Sequence, residues 1–147
     1  MEVFTRSARE TAELGKSFAD NLKGGETLAL TGDLGSGKTT FVQGLARGLG
    51  ITQRTISPTF ILVREYEIAH STQNMGHRRK LYHVDLYRLE EKVEQEVKSL
   101  GLEDIWGKEE NVVVIEWAEK IAPILPKTAK WIKFESLDGE RRKITFV

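Results

Sequence analysis

An α/β fold, one domain over residues 1–147 with a mixed β-sheet flanked by helices, is what three features of this chain predict. The first is a short apolar strand, Thr27-Leu28-Ala29-Leu30, that runs straight into a glycine-rich turn and then into a helix with apolar residues on one face. The second is Val112-Val113-Val114-Ile115, an unbroken β-branched run of the kind that forms a strand buried on both faces. The third is a closing pair of strands, Lys130 to Phe134 and Arg141 to Phe146, around a turn at Asp138-Gly139.

The elements follow in order. Ser7 with Glu10 forms a capping box, and Leu14, Phe18 and Leu22 recur at helical spacing, so a first helix is expected from Ser7 to Leu22 with Lys23-Gly24-Gly25 as its stop. After the glycine-rich turn, Phe41, Val42, Leu45 and Leu49 share a helix face that Gly48 and Gly50 close. Phe60 to Ile68 alternates as a strand does, and Leu81 to Leu86 is the next strand. Ala69 to Lys80 between them is polar and basic and reads as a hairpin loop with a mobile tip. Val93, Val97 and Leu100 mark a short helix, and Pro123 and Pro126 break the chain before the closing strands.

Composition narrows the function. Apolar residues make up 39% of the chain, enough for a core, and 22 basic residues balance 22 acidic ones. A protein that grips nucleic acid by charge alone carries a clear positive excess, so neutrality argues against that class while leaving a local basic patch open. With no cysteine, a disulfide partner, a thiolate zinc site and a cysteine nucleophile are excluded. No apolar run approaches the roughly 20 residues needed to cross a bilayer, and Met1 to Thr5 lacks the basic head and apolar stretch of a signal peptide. These features predict a soluble, cytoplasmic protein.

The residues Gly32-Asp33-Leu34-Gly35-Ser36-Gly37-Lys38-Thr39 fit the Walker A pattern G-x-x-x-x-G-K-[ST], with Thr40 next to it. Its glycines let backbone N–H groups turn inward as an anion nest. The helix that follows aims its positive end at the same point. Lys38 reaches the β- and γ-phosphates of a nucleotide, and the Thr39 hydroxyl ligates magnesium. The expected fold is therefore of the P-loop NTPase type, with ATP or GTP and Mg2+ as ligands.

A magnesium ion on Thr39 needs a carboxylate from a neighbouring strand end. Glu116 ends the run Val112 to Ile115, and Asp85 ends Leu81-Tyr82-His83-Val84; acids at such ends lie beside the phosphate loop. Glu116 is the preferred metal ligand, directly or through water, and Asp85 holds the metal's water shell or orients the attacking water. Lys38, Asp85 and Glu116 are thus the candidate catalytic residues, and Thr39, Glu116 and Asp85 the candidate metal ligands. Ser57-Pro58-Thr59 stands where a switch threonine senses the γ-phosphate in GTPase-like proteins, and reads equally well as a plain turn before a strand. Trp117 is weighted toward packing, and His83 toward a satisfied structural histidine. His70, His77, Arg78, Arg79 and Lys80 read as solvated charge, with contact to tRNA or a partner as the alternative. Arg141 and Arg142 either face solvent or bring one guanidinium to the nucleotide.

Gly-Asp-Leu-Gly-Ser-Gly-Lys-Thr-Thr (32–40), Ser-Pro-Thr-Phe (57–60), His-Val-Asp-Leu-Tyr-Arg-Leu (83–89) and Ile-Glu-Trp (115–117) together resemble the TsaE family in order and spacing, over nearly the whole chain. That resemblance implies a bacterial ATPase needed for threonylcarbamoyladenosine in tRNAs reading ANN codons. It implies ATP rather than GTP, phosphates on Gly35 to Thr39, magnesium near Thr39 and Glu116, and a catalytic or structural role for Asp85. Trp117 would lie beside the site, and Thr5, Thr11 and the turn at Gly139 near the adenine. The implied partner is the TsaD–TsaB transferase pair, reset by ATP hydrolysis between turnovers, with tRNA reached indirectly through that complex. This chain departs from the family in carrying Trp117-Ala118 where Trp-Pro is common, and in a longer, more basic segment at Ala69 to Lys80.

Two other functions compete. A small-molecule kinase would need an arginine-bearing lid, for which Gly76 to Lys80 is the one candidate. A nucleotide-gated binding module would use ATP to order the switch segment, with hydrolysis incidental.

Overall fold

The computed structural model describes residues 1–53, 62–68 and 79–147. Among these residues seven strands form one sheet in the order β1-β7-β6-β2-β5-β4-β3. They are β1 (Glu2–Thr5), β2 (Thr27–Thr31), β3 (Val63–Ile68), β4 (Arg79–Asp85), β5 (Asn111–Glu116), β6 (Lys130–Ser136) and β7 (Arg142–Phe146). The helices are α1 (Ala8–Ala19), α2 (Lys38–Gly48) and α3 (Val93–Ser99), with 3-10 turns at Leu102–Asp104 and Ala118–Ile124. Strands β4, β5, β2 and β6 run parallel, while β3 pairs antiparallel at one edge and β7 and β1 at the other. The sheet is therefore mixed and flanked by helices, as the pattern predicts.

The apolar run in β5 is buried along its whole length because it lies between β2 and β4 with cores on both faces. Alternation sorts its residues. Val112 and Val114 join Leu28, Leu30, Phe41 and Leu45 in one core, while Val113 and Ile115 join Ala29, Val84, Leu86 and Val97 in the other. Ser7 caps α1 by accepting from Glu10 N, and Glu10 Oε1 accepts from Arg6 N.

Several boundaries move. Helix α1 ends at Ala19, and the chain continues in turns to Leu22, whose side chain still packs on the core. Leu14 and Phe18 flank the core, but the deepest face of α1 is Thr11, Ala12, Gly15 and Ala19, residues small enough for α2 to approach closely. Gly48 does not end α2 by adopting a left-handed turn; it is the last helical residue, and a Cβ there would lie 2.5 Å from Lys16 O. Leu100 is 47% exposed, so Val97 is the buried anchor of α3. Arg79 and Lys80 are not loop: they open β4, opposite Ile68 and Glu67, since an antiparallel partner extends the strand beyond its apolar stretch. Leu62 has φ 66°, so β3 begins at Val63; the expected start at Phe60 and most of the basic loop, residues 69–78, lie outside the described residues, as does Ser57-Pro58-Thr59. The lid-like stretch proposed for a kinase thus ends in a paired strand, its first three residues being outside the described set. The N-terminal strand β1 has no signature of its own; it forms by pairing with β7, Val3 opposite Ile144.

Candidate functional site

Register brings the site together. Across the parallel strands, Leu30 of β2 stands opposite Glu116 of β5, which stands opposite Asp85 of β4. The loop 32–37 leaves β2 at this carboxyl edge and enters α2 at Lys38. Gly37, the N-cap, has φ 104°, a left-handed conformation that turns the chain into the helix. Gly32 allows a close approach: a Cβ there would meet Phe134 O at 2.4 Å.

Lys38 is 4% exposed. Its ammonium donates to Gly32 O, to Asp33 O at 2.9 Å and to Ser36 Oγ at 3.4 Å, all neutral oxygens. It also lies 4.4 Å from the centre of the Trp117 ring. Burial pushes the ammonium below the ordinary lysine value of 10.5, against the opposing pull of Glu116, Glu119, Asp85 and Asp33. Thr39 Oγ1 donates to Glu116 at 2.9 Å (Oε1) and 3.2 Å (Oε2). Glu116 is 2% exposed, and its Oε2 accepts from His83 Nε2 at 2.5 Å. His83 is therefore a buried partner of the candidate metal ligand, while its Nδ1 has no hydrogen-bond partner among the described residues. Asp85 is buried, and its Oδ1 accepts from Tyr87 N at 2.9 Å.

A cavity of about 270 Å³ opens over these groups. Leu34, Gly35, Ser36, Gly37, Lys38, Thr39 and Thr40 line it, together with Asp85, Glu116, Trp117 and Thr11. Gly32 and Asp33 contribute carbonyls to Lys38 rather than lining to the cleft. Thr11 Oγ1 is 2.7 Å from Thr5 Oγ1, so Thr5 supports Thr11 from behind. Gly139 does not line the cavity; its carbonyl accepts from Arg142, which does. Of the two final arginines it is Arg142 that reaches the loop, donating from Nη2 to Gly35 O at 3.1 Å. Thr59 lies outside the described residues.

Reading the sequence did not single out Ala8, Tyr87 or Glu140, which line the cavity, nor Glu119, whose carboxyl partial burial pushes upward against the pull of its own backbone amide, Lys38 and Lys120. The partnership of His83 with Glu116 had a signal: two residues before Asp85 on a strand is the same face. Trp117 has φ 62°, a strained conformation for a residue with a Cβ, and it aims the ring at both Lys38 and Tyr87, 5.3 Å away between ring centres.

The donor set fits a nucleoside triphosphate with a divalent cation. A buried ammonium among neutral oxygens, at the N-terminus of an 11-residue helix, is complementary to phosphate. Gly35 has open space where a Cβ would stand. One hydroxyl and one carboxylate suit magnesium, which keeps waters and phosphate oxygens as its other ligands. Among the described residues no cluster of three or more His, Asp or Glu forms a metal cage by itself.

Comparison with known proteins places the chain in a family. The family profile described as Threonylcarbamoyl adenosine biosynthesis protein TsaE matches residues 5–144. The protein named tRNA threonylcarbamoyladenosine biosynthesis protein TsaE from Bacillus subtilis is 39% identical over 142 residues, covering 97% of this chain and 82% of the relative. Its counterpart of the same name from Treponema pallidum is 38% identical over 146 residues, covering 99% and 98%. Another, from Nostoc, is 45% identical over 130 residues, covering 86% and 73%. The crystal structure of Bacillus subtilis YdiB superposes with a TM-score of 0.75 at 33% identity, over 99% of this chain and 83% of that one. With a profile match over nearly its whole length and relatives of this identity, the chain belongs to the TsaE family of tRNA threonylcarbamoyladenosine biosynthesis proteins.

Proposed function

We propose that this chain binds ATP with magnesium and hydrolyses it, as an accessory protein in forming threonylcarbamoyladenosine in tRNAs that read ANN codons, acting on the TsaD–TsaB transferase complex. The observation that carries the reading is Lys38, a buried ammonium held by neutral oxygens at a helix N-terminus. A phosphate oxygen is a better partner than a carbonyl, because its charge offsets the desolvation that depresses this lysine.

The residues divide the work. Amides of Gly35 to Thr39 and the Lys38 ammonium bind the β- and γ-phosphates. Thr39 and Glu116 would hold magnesium, with Asp85 on its water shell; the ion would neutralise charge that develops on the transferring phosphoryl group. His83 holds the Glu116 carboxylate in place. Asp85 orients the attacking water by accepting its hydrogen bond. The Trp117 ring covers Lys38 and keeps bulk water from it. Such a site works by positioning and charge stabilisation and needs no covalent nucleophile.

The zero net charge supports a protein that acts on a protein complex and meets tRNA through it. Among the described residues no helix is long and apolar enough to cross a membrane; we assign the protein to the cytoplasm because the transferase complex it acts on works on tRNA there. The test is multiple-turnover tRNA threonylcarbamoylation reconstituted with TsaD–TsaB, with and without this protein and with Lys38→Ala. Turnover beyond the first cycle is expected only with the unaltered protein. Equal rates of ATP hydrolysis with and without TsaD–TsaB would count against the accessory role, and many rounds of modification with Glu116→Ala would make hydrolysis unnecessary.

A further inference from the structure

Lys120 takes no part in the phosphate chemistry described above, yet its ammonium is fully engaged. It sits on the 3-10 turn that follows Trp117 and donates to three carbonyls of one loop: Leu86 O at 3.0 Å, Tyr87 O at 3.0 Å and Leu89 O at 2.8 Å. Three acceptors match the three donors of an ammonium. Carbonyl dipoles that converge on one point repel one another unless a cation sits between them. The loop's shape therefore depends on this charge.

That loop leaves β4 directly after Asp85. Tyr87 gives its N–H to Asp85 Oδ1, and its ring packs on Trp117. Leu86 N donates to Glu116 O at 3.2 Å. The Trp117 ring has Lys38 at 4.4 Å and Lys120 at 5.6 Å. Lys120 itself does not line the cavity. We propose that Lys120 is a positioning residue, a built-in cation that folds Leu86–Leu89 so that Asp85, Tyr87 and Trp117 keep their places around Lys38 and Glu116. Its effect on turnover rests on the hydrolytic reading above; its effect on the loop does not.

Lys120→Met keeps the stem and removes the charge, and Lys120→Ala also opens room for a small cation. Turnover with TsaD–TsaB should fall about 10- to 100-fold in Lys120→Met, while the ATP dissociation constant stays within about threefold, because the phosphate loop is untouched. With Trp106 and Trp131 replaced by Phe, emission reports Trp117 alone and should shift when Lys120 is changed. Methylammonium, but not tetramethylammonium at equal ionic strength, should restore the emission and part of the turnover of Lys120→Ala. Emission that does not shift, turnover within about twofold of the unaltered protein, or no difference between the two ammonium ions in Lys120→Ala would each overturn the proposal. Should the unaltered protein hydrolyse no ATP in any setting, the hydrolytic reading falls, while Trp117 emission and its recovery with methylammonium still decide the role of Lys120.

Discussion

Gly44→Ala separates close packing from helix propensity because the two predict opposite signs. Gly44 lies inside α2, where alanine is the better helix former by about 1 kcal/mol. On propensity alone the substitution stabilises the protein. The structure says otherwise. A Cβ on Gly44 would lie 1.8 Å from Ala12 O, 2.6 Å from Ala12 C and 2.9 Å from Ala12 Cα. These are backbone atoms of α1 and have no rotamer by which to escape. The two helices would have to part by about 1 Å, which lifts Phe41 and Leu45 from a close-packed core. Overpacking costs about 1–3 kcal/mol, and a clash with backbone that cannot swing aside lies at the upper end, so about 2 kcal/mol of destabilisation remains after the helix-propensity gain. At this chain length that corresponds to a fall of about 6 °C in the unfolding midpoint. Gly15 faces the same interface, where a Cβ would lie 2.1 Å from Phe41 O, so Gly15→Ala should destabilise as well and the pair should be less than additive. Thermal and urea unfolding followed by far-UV circular dichroism measure the effect. Because α2 opens with Lys38 and Thr39, ATP affinity should weaken in the same variants. A midpoint in Gly44→Ala that is unchanged or raised would refute the reasoning.

Three further outcomes test the site. Glu116→Gln, which keeps the shape but weakens the acceptor for Thr39 and His83, should lower hydrolysis by about 100-fold or more with ATP still bound, measured by phosphate release and by equilibrium binding. Arg142→Ala removes a charged donor from Gly35 O and should raise the ATP dissociation constant about tenfold with little change in maximal turnover. Because burial lowers the Lys38 ammonium below 10.5, the unfolded chain holds its proton at pH values where the folded chain begins to release it. The stability of the unaltered protein relative to Lys38→Met should therefore rise with pH between that lowered value and 10.5, read as the difference in urea midpoints; a difference that falls over this window contradicts the burial of a depressed lysine.

Local chemistry along the chain was enough for the glycine-rich loop, the helix that follows it, the apolar run of β5 and the acids that close β4 and β5. Each is a pattern within a few residues: a run of glycines that permits left-handed turns, a period of 3.6, an unbroken β-branched stretch. What tertiary structure decided is which of these meet. Hydrogen-bond register across β2, β5 and β4 sets Glu116 beside Asp85, and no periodicity encodes a pairing between residues tens of positions apart. The same holds for β1, which becomes a strand only because β7 is there to pair with it. Gly48 reads as a helix stop, and Gly15 and Gly44 have no sequence signal of their own, until α1 and α2 come together, when their missing Cβ atoms are the contact itself. His83, Arg142 and Lys120 are ordinary polar residues in sequence; burial against Glu116, reach to Gly35 O and three converging carbonyls give them their roles, since a side chain's partners are fixed by the packing of distant segments.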